Sequence, residues 1–397
     1  MSPVAARSRS LPLWWGLFCT LPLISGLLGR LLKQKPWFVD FDAIACAGQT
    51  LSQGGNPYSL SPACEGLRPA VFVYAPMIAE GLSATIAFMG LDGFRVAYVL
   101  MWLMALAGIG LYVWRQNPED GRLKLPLFAL LTGGSLASGN IALLLHGLIL
   151  GAALCLPKRA TPFIVAVTLA ALIKPTLLTY LIVLVYLDKP LIWRLRTLAT
   201  GVISGLGAYG LMALKQGPLH SHWHQALDQV VLSQQPGISF FSWIAATGLP
   251  HDALPSLIGL GLFMALLSLA GLALAEMGRC SPAQRLAIGL GMAQLLNPRL
   301  MDYDLLLIIP LLVTVLSLSQ NLSRTWGRGS LLALNGLMAS VLILNLLETP
   351  PVMPVPFGVL GLSLMVVTQA GALALQRFEV PAFFRPAFYA RKPASDV

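Results

Sequence analysis

Charge is what this sequence has least of. Only 11% of its 397 residues are Asp, Glu, Lys or Arg, against 56% hydrophobic, and the mean hydropathy is +0.75. So little charge cannot clothe two or three soluble domains, although the length would allow them. Acids are scarcer than bases, 16 to 26, for a net charge of +10. The cations cluster between apolar stretches, as short membrane loops do, which accounts for the charge without a nucleic-acid partner. Cysteine is also rare. Cys19, Cys46, Cys64, Cys155 and Cys280 show no C-x-x-C or metal-type spacing, and only Cys46 and Cys64 share a loop, where pairing is open. No internal repeat of some 20–50 residues is visible, so solenoids and inverted-repeat transporters gain no support.

What is there in abundance is long apolar runs. They recur from Leu11 to Leu375, many near the ~20 residues that a helix needs to cross ~30 Å of hydrocarbon. Because unpaired backbone polar groups are intolerable in lipid, they are helices rather than open sheet. The expected fold is an all-α polytopic bundle with twelve spans at 11–32, 72–90, 94–114, 126–156, 161–173, 175–187, 197–214, 253–275, 284–296, 303–319, 330–347 and 356–376. The first run follows Arg7 and Arg9 as a signal peptide would, but it ends in Arg30, Lys33 and Lys35 without a small-residue cleavage site, so it reads as an uncleaved span. Residues 1–10 form a cytoplasmic N-terminus, 11–376 one transmembrane domain, and 377–397 a cytoplasmic tail.

With the N-terminus inside, most cations fall in inside loops and most acids outside, against the local exceptions Arg30, Lys33, Lys35, Arg115, Arg122 and Lys124. Two loops, 33–71 and 215–252, are long and lie on the outer face. The second carries His220, His222, Trp223 and His224 and reads as an amphipathic helix on the membrane. The run 161–187 either crosses once or is a hairpin broken at Lys174-Pro175, since proline removes a helix donor and disfavours helix before it. The run 126–156 is too long for one straight span, and Gly133, Gly134 and Gly139 suggest a break near its middle.

Several polar residues stand out. Asp40 sits at the start of a helical pattern in which Ile44, Ala47 and Leu51 share a face, so taken alone it reads as the N-cap of an interfacial helix rather than as chemistry. Asp42 is two residues on. Lys174 lies at a predicted break, where it must reach water or an anion. Arg299 precedes Asp302 and Asp304, which offer it a local ion pair. Asn56, Tyr58 and Tyr74 flank turn and helix-start prolines. Glu80 stands about two turns into the second span, where an acid is expensive and faces a cavity. His146 lies mid-span and reads as a satisfied packing residue. The histidines near 222 lack a carboxylate in register, so no metal is expected.

The run from Asp40 to Pro76 has an order of its own: Asp40-Phe41 and then Ala47, Gly55-Asn56-Pro57-Tyr58, and Tyr74-Ala75-Pro76 opening the second span. It is followed by Ile173-Lys174-Pro175, Trp193-Arg194, Ser233-Gln234-Gln235 with Ser239, and Asn297-Pro298-Arg299 before Tyr303. In this order the pieces resemble glycosyltransferase family 87, membrane enzymes of the GT-C superfamily that include polyprenol-phosphate-mannose-dependent mannosyltransferases. The resemblance covers most of the chain through short motifs. Where family members often carry a histidine, this sequence has Met301-Asp302-Tyr303-Asp304.

The resemblance implies an inverting transfer of a sugar, a hexose such as mannose, from a polyprenyl phosphate to a hydroxyl of a lipid or glycan acceptor. It implies a bacterial inner-membrane protein with its site facing the periplasm. Asp40 matches the general base, with Asp42 as alternative. Lys174 and Arg299 are expected at the donor phosphate, and Asn56, Tyr58, Tyr74, Glu80, Asp302 and Tyr303 in the substrate pocket. The partners are the lipid-linked sugar, the acceptor and membrane lipids, with no nucleic acid and no cofactor. Two rivals are a transporter or lipid-linked sugar flippase without transferase chemistry, and a non-catalytic membrane partner.

Overall fold

The computed structural model describes residues 13–62, 64–68, 70–116, 124–131, 133–215, 217–232, 236–347 and 354–377. Arg7, Arg9, Arg122, Ser233-Gln234-Gln235 and the tail beyond Arg377 lie outside them. Among the described residues every regular element is helical. The exterior is apolar: Trp14, Phe88, Met104, Ile203, Leu211, Leu262 and Leu332 are all mostly exposed. Such a surface suits hydrocarbon and not water. The chain is a membrane-embedded, polytopic α-helical protein.

After α1 (Leu13–Leu32) the chain turns into the short α2 (Val39–Ser52), which packs on α3 (Pro76–Arg115). A straight helix of 40 residues would be ~60 Å long, twice the hydrocarbon thickness. Gly90, at φ 74° and ψ 165°, breaks it at the boundary expected between two spans. The 126–156 run is also broken, into a 3-10 turn Leu125–Leu130, α4 (Gly133–Ala137) and α5 (Ile141–Ala153). Next come α6 (Thr161–Ile173), a 3-10 stretch Pro175–Ile182 and α7 (Val183–Tyr186). Here α8 (Leu191–Ala213) bends by 114° into the segment that opens with α9 (Pro218–Ala226). The remainder is α10 (Phe240–Ala246), α11 (Leu254–Met277), α12 (Pro282–Leu295), a 3-10 turn Asp302–Leu307 leading into α13 (Ile308–Leu322), α14 (Arg324–Leu346) and α15 (Pro354–Arg377).

Twelve full spans are not found. Among the described residues six helices are long and apolar enough to cross a membrane, or seven if the bent 191–230 pair is one span. The count falls because α3 is continuous apart from its kink, and because several apolar segments are too short. α5 and α6 have 13 residues and α12 has 14, which reach only ~20 Å.

Of the two alternatives for 161–187, the hairpin is found. Lys189 Nζ lies 3.5 Å from the Pro157 carbonyl oxygen, so the chain entering α6 and the chain leaving α7 meet at one end. Lys174, at φ −130° and ψ 96°, is the tip. The end of the second limb is clamped through Glu276, whose carboxylate accepts from Arg194 Nη1 at 2.6 Å and from Arg285 Nη1 at 2.9 Å. Arg194 also donates to the Val185 and Lys189 carbonyls, and Arg285 to that of Tyr186. These bonds fix the end of the second limb to α8, α11 and α12, at the opposite end of that limb from the tip.

The expected amphipathic helix is α9, but it does not lie alone. Trp223 and Ala226 are buried in a cluster with Ala47, Tyr58, Phe72, Ala75 and Ala79, and Trp223 Nε1 donates to the Val73 carbonyl at 3.0 Å. The second long loop therefore covers the first.

Candidate functional site

Four segments distant in sequence meet where the short helices end. The first is the start of α2, carried there by main-chain pairing: Phe38 N–H donates to Ala137 O and Asp40 N–H to Ser138 O, both at 2.9 Å. Phe38 adopts φ 59° to make the turn. Asn140 caps α5, its Oδ1 accepting from Ala142 N–H at 2.9 Å, while its Nδ2 donates to Asp40 Oδ2 at 2.9 Å. One asparagine thus ends the 133–140 break and holds one oxygen of Asp40.

The second segment is the extended 70–75 stretch that leads into Pro76 at the start of α3. Tyr58 Oη donates to the Tyr74 carbonyl at 2.8 Å, and Asn56 Oδ1 accepts from Tyr58 N–H at 3.0 Å. Asn56 and Tyr58 therefore shape the loop and position Tyr74. The third is the hairpin tip. Lys174 is buried, its Nζ 4.9 Å from the centroid of the Tyr303 ring and 3.9 Å from Asp304 Oδ1. That contact is an ion pair and not a hydrogen bond. Nζ has no hydrogen-bond partner among the described residues, an expensive state for a buried ammonium.

The fourth segment is 297–304. Asn297 Oδ1 accepts from Arg299 N–H at 3.0 Å. Buried Ser239 stitches this turn to the second long loop: its hydroxyl donates to Asn297 O at 2.7 Å and accepts from Leu300 N–H at 3.0 Å. Asp302 Oδ1 accepts from Tyr303 N–H. Asp40, Arg299 and Asp304 are all close enough to act electrostatically on Lys174, and the same three on Tyr74. Two carboxylates and two cations therefore form one unit, with Tyr74 and Tyr303 among them.

Not every expected residue joins it. Asp42 Oδ2 accepts from Arg68 N–H at 3.3 Å and so anchors the first loop. Glu80 is exposed on the protein exterior and stands four residues beyond Pro76, one helical turn in rather than two. Cys46 and Cys64 form a disulfide, with Cα atoms 5.7 Å apart, which ties the first loop back to α2. Among the described residues no group of three or more His, Cys, Asp or Glu is placed to hold a metal ion.

The structure adds residues that spacing did not find. Asp304, with a fully buried side chain, takes His146 Nε2 at 2.7 Å on Oδ1 and Met301 N–H at 3.0 Å on Oδ2. His146 Nδ1 lies 2.8 Å from Tyr180 Oη, which also bonds Gln294 Nε2. The available signal was polarity at depth: His146 and Gln294 interrupt otherwise apolar helices, and such residues need partners.

Comparison with protein-family models, curated proteins and solved structures finds no match to this chain.

Proposed function

We propose that the protein is an integral-membrane glycosyltransferase that moves a sugar, a hexose such as mannose, from a polyprenyl phosphate to a hydroxyl acceptor with inversion. One observation carries the proposal: a carboxylate held by the Asn140 side chain, Asp40, shares a site with a buried ammonium, Lys174, that has no hydrogen-bond acceptor among the described residues. The order of motifs from Asp40 to Tyr303 supports the same reading.

In the proposed reaction Asp40 takes the proton from the acceptor hydroxyl as its oxygen attacks the anomeric carbon. The bond from that carbon to the phosphate oxygen breaks on the opposite side, and the phosphate leaves with the electron pair. Lys174 and Arg299 stabilise the charge that develops there. Asn140 keeps Asp40 oriented, and Tyr74 and Tyr303 frame the sugar. The chemistry asks for no resident metal or cofactor. Lipid-linked glycans extracted from cells with and without the gene, compared by mass spectrometry, are expected to differ by one hexose. Identical profiles, with a purified protein that carries lipid across vesicles and releases no polyprenyl phosphate, would favour the flippase alternative.

We place the site on the periplasmic side of a bacterial inner membrane. The distribution of cations supports this orientation, and so does the Cys46–Cys64 bond, since disulfides persist in oxidising compartments. In intact cells a membrane-impermeant maleimide is expected to label Cys46 and Cys64 only after reduction with an impermeant phosphine. Labelling without reductant would remove this support.

A further inference from the structure

A chain of side chains lies behind Lys174. Asp304 Oδ1 lies 2.7 Å from His146 Nε2, His146 Nδ1 lies 2.8 Å from Tyr180 Oη, and Tyr180 Oη accepts from Gln294 Nε2. Every link is buried, and the links come from α12, the second hairpin limb, α5 and the 302–307 turn. The negative charge of Asp304 faces the ammonium of Lys174 across 3.9 Å.

The geometry of that pairing is unusual. At 3.9 Å Asp304 is near enough to stabilise the ammonium but too far to take one of its hydrogen bonds. Its two oxygens are already engaged, by His146 Nε2–H and by Met301 N–H. The other groups that face Lys174 are Asp40 from α2 and Arg299 and Tyr303 from the 297–304 segment.

We propose that Asp304, held by His146, Tyr180 and Gln294, is a positioning residue that keeps the Lys174 ammonium charged and in place while leaving its N–H bonds for an anionic ligand. That the anion is an isoprenyl phosphate rests on the transferase reading. The pairing itself does not.

A double-mutant cycle on the purified full chain tests both levels separately. In thermal unfolding, Lys174→Met and Asp304→Asn are each expected to lower the midpoint. The double variant should fall by less than the sum, because it leaves no buried charge without its partner. With farnesyl phosphate as the probe, Asp304→Asn should weaken binding by roughly tenfold to a hundredfold although Lys174 is present, and should weaken it no further in the Lys174→Met background. Tyr180→Phe, which removes one oxygen, should raise the KM for the lipid donor severalfold and leave kcat nearly unchanged, and it carries the test if Asp304→Asn does not fold. Additive losses in unfolding, or wild-type affinity and KM in Asp304→Asn and Tyr180→Phe, would overturn the positioning role. If farnesyl phosphate does not bind the wild-type protein, the transferase reading falls, and the unfolding cycle alone decides the Lys174–Asp304 pairing.

Discussion

Asp40→Asn is expected to lower sugar transfer by about a hundredfold to ten-thousandfold, the usual contribution of a positioned general base. Asparagine keeps the size of the side chain and still offers an oxygen to Asn140 Nδ2, so the α2 start should stay in place. Expression, unfolding temperature and farnesyl phosphate binding should therefore change little, and the loss should fall on kcat. Asp42→Asn is the paired control. Asp42 accepts a hydrogen bond from Arg68 N–H, which an asparagine oxygen also accepts, and turnover should stay within a few-fold of wild type. Turnover measured as release of polyprenyl phosphate from reconstituted protein separates the two. The opposite pattern would move the base by two residues, and full activity in both variants would remove the carboxylate mechanism.

The second large effect concerns a residue with no functional group. Gly139 has φ 68°, and a Cβ there would stand 2.3 Å from Phe38 Cδ1 and 3.1 Å from Phe38 Cα. The Phe38 ring cannot easily retreat, because it packs edge-on against Trp102 with centroids 5.3 Å apart. Gly139→Ala therefore meets both a left-handed backbone penalty and a collision, together about 3 kcal/mol. Because Phe38 N–H and Asp40 N–H bond to the residues just before Gly139, the relaxation must move Asp40 away from Asn140. A lower unfolding midpoint is expected, with turnover reduced even at temperatures where the protein is folded. Gly54→Ala isolates the backbone part: its φ is 76° and no atom lies within 4 Å of the added carbon. It should lose about 1 kcal/mol and keep its activity.

The parts of this fold that local chemistry controls were readable in the sequence. Lys174-Pro175 announced a break because proline cannot continue a helix, and the glycines before Asn140 announced another. Asp40 was visible as an acid at a helix start. The number of crossings was not, because an apolar run of 13 residues in a membrane reads alike whether it spans or turns back. Nor was the role of Asp304. Its partner His146 is 158 residues away, and nothing in the spacing of either residue points to the other. The choice between Asp40 and Asp42 likewise depended on what lay opposite each, Asn140 in one case and the main chain of Arg68 in the other.

The shortness of α5, α6 and α12 has an electrical consequence. Helices of ~20 Å that start at one face of a ~30 Å dielectric slab end about a third of the slab short of the other. With the open end of the hairpin at one face, a charge that settles at Lys174 crosses about a third of the transmembrane voltage drop. At ~100 mV that is about 0.8 kcal/mol for each elementary charge and about 1.5 kcal/mol for a dianion. An anion entering from the side of positive potential moves against the electrical force on it, and its occupancy is then set by the energised state of the membrane as well as by the residues around it.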